Sequence, residues 1–129
     1  MKKVVKTKKA PYPVGAYNQA IVSGGFVFTA GQIAIDPQTN QVVSGDVQAQ
    51  TRLVLNNLSA VLEAAGSGLQ HVVKTTVFLK DMNHFPLMNE AYSEFFSENA
   101  PARSAIEVSR LPRDVLVEID CVAELPDSK

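Results

Sequence analysis

Two residues of this 129-residue chain stand out for the chemistry they could do: Arg103, in PARSAIEV at 101–108, and Glu118, in VLVEIDCVAEL at 115–125. Each interrupts a largely apolar run. A guanidinium placed close to a core is costly unless it meets an anion, so Arg103 needs a partner. Its planar fork can hold a carboxylate through two parallel hydrogen bonds, as lysine cannot. That anion could be a ligand, or it could be Glu118 or Glu107 in a structural pair. The other reactive side chains offer less. Cys121 falls on the opposite side of an extended strand from Glu118, where a thiol reads as a small buried hydrophobe. His71 and His84 are not at ligand spacing from each other or from a cysteine, so no metal site is expected. Gly24-Gly25 separates two β-prone runs and is not followed by a helix, unlike a phosphate-binding loop.

The length suits one domain spanning 1–129, with one core. With 46% hydrophobic and 19% charged residues, the composition is that of a soluble globular protein, and no apolar run is long enough to span a bilayer. The start, MKKVVKTKKAPYP, lacks the continuous apolar core of a signal peptide. With a single cysteine, which cannot form an internal disulfide, this points to a reducing, cytoplasmic setting. Net charge is −1, but five of the 12 Lys and Arg lie in residues 1–9, which hold no acid. The remaining seven cations against 13 acids leave the body at −6, which disfavours a nucleic-acid partner. Residues 1–9 read as a basic, solvated and partly frayed arm.

Positioning these residues requires a scaffold. Tyr17–Val22 and Phe26–Thr29 read as strands around Ser23-Gly24-Gly25, a hairpin. The segment 31–46 is rich in loop formers. From Asp46 to Ala65, Val47, Val54, Leu58, Val61, Leu62 and Ala65 follow helical spacing, and Gly66 and Gly68 end the run. His71–Leu79 is a strand whose second half is apolar on both faces. A second helix is predicted from about His84 to Ser97, with Pro86 in its first turn. Arg103–Ser109 and Val115–Leu125 are the last two strands, joined through LPRD. The pattern is an α+β domain with two helices on one face of a sheet.

Two helices cover only one face, so the other needs a partner, and a second copy of the chain is the natural one. On a period of two, Leu116, Glu118, Asp120, Val122 and Glu124 share a side, as do Arg103, Ala105 and Glu107. If both sets line the uncovered face, arginine and glutamate meet in a cleft at a subunit boundary.

The run PARSAIEVSRL, followed after five residues by Val117-Glu118-Ile119, resembles the signature of the RidA/YjgF reactive intermediate deaminase family. Further likeness lies in Ala10-Pro11, GAYNQ from Gly15, TAGQI from Thr29, Gly45-Asp46 with Gln50-Thr51, VKTTVFL from Val73 with Asp81-Met82, and NEAY from Asn89. The resemblance implies a chorismate-mutase-like α+β protomer with a mixed sheet, in which the last two strands need not be neighbours, and a homotrimer with sites between subunits. It also implies hydrolysis of 2-imino acids such as 2-iminopropanoate and 2-iminobutanoate to 2-keto acids and ammonia, without metal or organic cofactor. Arg103 would clamp the substrate carboxylate. Glu118 would hold the water and shuttle its proton to nitrogen, and Tyr17 would orient water or imine. Backbone near Gly31 and Ala105 would receive ligand oxygens, with Asn89 a further contact.

Three stretches depart from the family's pattern. Ala105 stands where many relatives have cysteine, Ala30 where serine is common, and Ala16-Tyr17-Asn18 where Pro-Tyr-Ser is frequent. These bear on rate and substrate preference more than on reaction type. The other functional class is a small-anion-binding regulatory protein, or the endoribonuclease and translation-inhibitor activity reported for relatives. The acidic body and the lack of a His pair or Lys-His constellation argue against RNA cleavage.

Overall fold

Val47, Val54, Leu55, Leu58, Val61 and Leu62 lie on one face of a helix at Val47–Ala64, here α1, and all are buried. Asp46 caps it by accepting from the Ala49 N–H at 2.8 Å, satisfying one of the donors every helix start leaves open. Gly66, with φ +88°, turns the chain away at the other end in a conformation that suits glycine. The computed structural model describes residues 1–126, which form six further strands and helices in the places expected and one unexpected strand. The strands are β1 (Lys3–Val5), β2 (Ala20–Ser23), β3 (Phe26–Thr29), β4 (Val72–Leu79), β5 (Ala102–Glu107) and β6 (Val117–Glu124), and α2 is Phe85–Ser93.

The strands make one mixed sheet in the order β1-β2-β3-β6-β4-β5, parallel between β4 and β5 and antiparallel elsewhere. The last two strands are therefore not a hairpin, and β4 lies between them. Thr75, Val77 and Leu79 of β4 and Val117, Ile119, Cys121 and Ala123 of β6 are all buried beneath the helices. Each of the larger aliphatic side chains contributes about 1.5–3 kcal/mol relative to exposure. Both helices lie on this one face, as expected. The other face carries Val4, Phe26, Phe28 and Ile106, at 43%, 38%, 46% and 44% exposure.

Four expectations are corrected. Residues 1–9 are not a frayed arm throughout: Lys3–Val5 pairs antiparallel with β2, and Val5 is buried in the core. The lysines stay exposed, a common way to blunt a sheet edge. Tyr17 precedes β2, which begins at Ala20, because the buried Gln19 spends its side chain on the loop instead. Its amide donates to the carbonyls of Thr7, Ala10 and Pro11 and accepts from the Thr7 N–H. Helix α2 stops at Ser93 instead of Ser97, so that Phe96 folds back onto Tyr92 with ring centroids 4.8 Å apart. The fourth concerns the faces of Arg103 and Glu118.

Candidate active site

Tyr17, Gly31 and Glu118 line one cavity of about 470 Å³. Gly31 is brought to Glu118 by its neighbour Gln32, whose N–H donates to the Ile119 carbonyl at 2.9 Å and whose carbonyl accepts from the Ile119 N–H at 3.2 Å. This bridge lays the 30–32 segment along β6. A side chain at position 31 would run into the Glu118 carboxylate, so glycine is what lets the carboxylate lie against the backbone. Tyr17 is half exposed, and its hydroxyl accepts from the Val14 N–H at 3.3 Å.

Glu118 is half-buried and makes no ion pair among the described residues. Burial pushes its carboxyl above the ordinary carboxylate range, and the charge of Asp120, two residues on and on the same face, adds to the rise. Asp120 is itself raised by burial, with Lys74 opposing. A carboxylate held this way is a good proton acceptor.

Arg103 lies elsewhere. It pairs in register with Thr75 and so shares the helix-covered face. Its Nη1 donates to Asn89 Oδ1 of α2 at 2.7 Å, and its guanidinium carbon lies 5.2 Å and 4.8 Å from the ring centroids of Phe85 and Tyr92. The aromatic faces stabilise the cation and fix its plane. Tyr92 is held in turn by a 2.7 Å hydrogen bond to the Thr75 hydroxyl. Ala105 follows on the same side of β5, a strand at the sheet edge. Glu118 pairs with Phe78 and faces the opposite way. The expectation that Arg103 and Glu118 line one face is thus corrected: strand period relates residues within a strand, but the pairing of β4 with both β5 and β6 sets how the two strands align. Neither Glu118 nor Glu107 pairs with Arg103, and Glu107 instead accepts from the Met82 N–H at 2.8 Å.

One chain therefore holds the candidate residues in two separate groups, Tyr17, Gly31 and Glu118 in the cavity and Asn89, Arg103 and Ala105 at the β5 edge. Cys121 belongs to neither. It is buried on the helix side, where desolvation pushes its thiol up to about 12, which leaves it inert as a nucleophile near neutrality. Gln19 and Gln32, both buried and both lining the cavity, are not among the site residues expected from the sequence. Each lies in a motif quoted above, GAYNQ or TAGQI, and a glutamine buried by apolar neighbours is the signal that could have found them.

A family model described as Endoribonuclease L-PSP matches residues 7–125. The chain belongs to this family, the L-PSP/YjgF family. Among its members, a RutC family protein of Pyrococcus horikoshii is 58% identical, over 95% of this chain and 98% of that one. An Escherichia coli protein provisionally named a reactive intermediate deaminase, TdcF, is 44% identical over 95% and 97%. The crystal structure of Escherichia coli TdcF with bound serine matches this L-PSP/YjgF chain with a TM-score of 0.90 at 42% identity, covering 95% of this chain and 98% of that one.

Proposed function

We propose that the protein hydrolyses reactive 2-imino acids, 2-iminopropanoate and 2-iminobutanoate among them, to 2-keto acids and ammonia. The observation that carries this reading is the division into half-sites: an oriented guanidinium without a carboxylate partner among the described residues on one edge, and a carboxylate with a raised pKa over Gly31 on the other face. The substrate's two needs match them. Its carboxylate takes the fork of Arg103, and its C=N carbon takes a water activated by Glu118. Glu118 accepts a proton as the water oxygen bonds to the carbon of the protonated imine, giving a neutral carbinolamine. Glu118 returns that proton to nitrogen and then takes the hydroxyl proton as the C–N bond breaks, so that ammonia leaves and the carbonyl forms. Tyr17, in the same cavity, orients the water or the imine. Asn89 acts through Arg103 as a positioning residue, and the Ala105 backbone lies beside it to meet ligand oxygens. One relative agrees in kind: Escherichia coli TdcF is named for deamination of reactive intermediates, and its crystal structure holds serine, a small amino acid.

Neighbouring copies supply the two halves in this reading, as a closed trimer of three equivalent clefts. The exposed large apolar side chains on the uncovered face of the sheet, Val4, Phe26, Phe28 and Ile106, support an assembly. The family's description names RNA cleavage, but the net charge of −6 over residues 10–129 is a poor match to a phosphate backbone. The test is a coupled assay in which an amino-acid oxidase generates 2-iminopropanoate from alanine. Faster decay of the imine with micromolar protein is expected, and no acceleration would end the deaminase reading.

A further inference from the structure

The cavity that holds Glu118 has a second charged lining residue, Arg113, and no other Lys, Arg, His, Asp or Glu lines it. We propose that Arg113 selects substrates whose side chain ends in a carboxylate, so that 2-iminosuccinate and 2-iminoglutarate are preferred over imino acids of equal length with apolar ends. This deepens the deaminase reading and rests on it for the identity of the ligand.

Arg113 is presented to the cavity by its backbone. It has φ +54° and Asp114 has φ +61°, two consecutive left-handed residues that are not glycine, a conformation that persists only where its surroundings hold it. The anchors are on either side. Leu111 and Val115 are buried at 9% and 1% exposure. The Asp114 N–H donates to the Leu111 carbonyl at 3.1 Å and the Val115 N–H to that of Pro112 at 3.3 Å. Beyond them the Leu116 N–H donates to Gln50 Oε1 at 2.8 Å.

Among the described residues the Arg113 guanidinium has no carboxylate partner. The ion pairs among the described residues are Arg52 with Glu94 and Lys80 with Asp114, so the acid next to Arg113 is directed to a lysine at 3.4 Å. Glu118 is committed to water, and Arg103 to the carboxylate next to the reacting carbon. A cavity of about 470 Å³ leaves ample room beyond a one- or two-carbon side chain. The fork of a single arginine fits a carboxylate in two parallel hydrogen bonds.

The 2-keto products allow the test to be run on binding as well as on turnover. Calorimetric titration of the intact protein with 2-oxoglutarate and with 2-oxopentanoate compares ligands of equal chain length that differ in the terminal carboxylate. The wild type should bind the diacid about tenfold tighter. In Arg113→Gln, and in Arg113→Gly, which suits the left-handed backbone, the ratio should fall to near one. Equal affinities in the wild type, or variants that weaken both ligands alike, would overturn the assignment. Diacid binding that depends on Arg113 without any imine hydrolysis would uphold Arg113 and defeat the deaminase reading. Hydrolysis of 2-iminopropanoate with no preference for the diacid would do the reverse.

Discussion

Arg103 and Glu118 flank β4 from its two sides and point to opposite faces of the sheet: Thr75 is the register partner of Arg103, and Phe78, three residues on, is that of Glu118. An odd separation on a strand of period two reverses the face. Within one chain the cation and the carboxylate cannot close on one small substrate. Each half-site is nevertheless built as if for a ligand, Arg103 by Asn89 and two aromatic rings and Glu118 by Gly31.

The fork geometry of Arg103 predicts that Arg103→Ala and Arg103→Lys both lose most deaminase activity while folding normally. Loss of a bidentate charged contact in a partly desolvated cleft should cost about 2–4 kcal/mol, or roughly 30- to 1,000-fold in kcat/KM. Asn89→Ala, which removes only the 2.7 Å restraint on the guanidinium, should cost less, about tenfold. Wild-type rates in Arg103→Lys would show that charge alone suffices. Cys121→Ser, on the buried face and away from both half-sites, is the matched control.

The raised pKa of Glu118 fixes the sign of two pH effects. Between its unfolded and folded pKa values the folded state holds the extra proton, so stability falls as pH rises through that window and the loss is complete above the folded value. Glu118→Gln should therefore melt higher than wild type above the window and lose that part of the pH dependence. Activity runs the other way, because the base works ionised: kcat/KM should rise with pH through a midpoint above the ordinary carboxylate range. Melting curves and rates from about pH 4 to 8 check both signs. A midpoint at an ordinary glutamate value would contradict the burial argument.

The open face predicts assembly. Phe28 lies there at 46% exposure, in register with Ile21 and Val122. Light scattering of the wild type should give about three times 13.9 kDa. Phe28→Glu should give a smaller species and abolish activity, whereas Glu63→Lys, on the exposed side of α1, should do neither. A fully active Phe28→Glu monomer would remove the need for an interface.

The parts of the fold legible in the sequence are those set by local rules. Asp46, the apolar spacing after it and Gly66 mark α1 without reference to anything distant, and the β-branched run of β4 does the same. What was not legible depends on partners far along the chain. Lys3–Val5 is too short and too basic to read as a strand, and exists because Lys3 pairs with Val22. Tyr17–Gln19 has strand composition, but Gln19 is drawn to the carbonyls of residues 7–11. The candidate site divides likewise. The motifs name Arg103, Glu118, Tyr17 and Gly31, and only the joint pairing of β5 and β6 with β4 reveals that they form two groups. Arg113 is not legible because LPRD reads as a turn, and its left-handed backbone has no glycine to announce it.

Mixing two inactive variants tests the shared site most directly. Arg103→Ala and Glu118→Gln should each be inactive, with the wild type active in the same assay. If each cleft takes Arg103 from one copy and Glu118 from its neighbour, random reassembly of an equal mixture makes about one cleft in four intact, since two independent choices must both fall correctly. Unfolding and refolding the two together should restore about a quarter of wild-type activity. If no activity returns although mass spectrometry finds mixed trimers, arginine and glutamate do not serve one cleft from two chains.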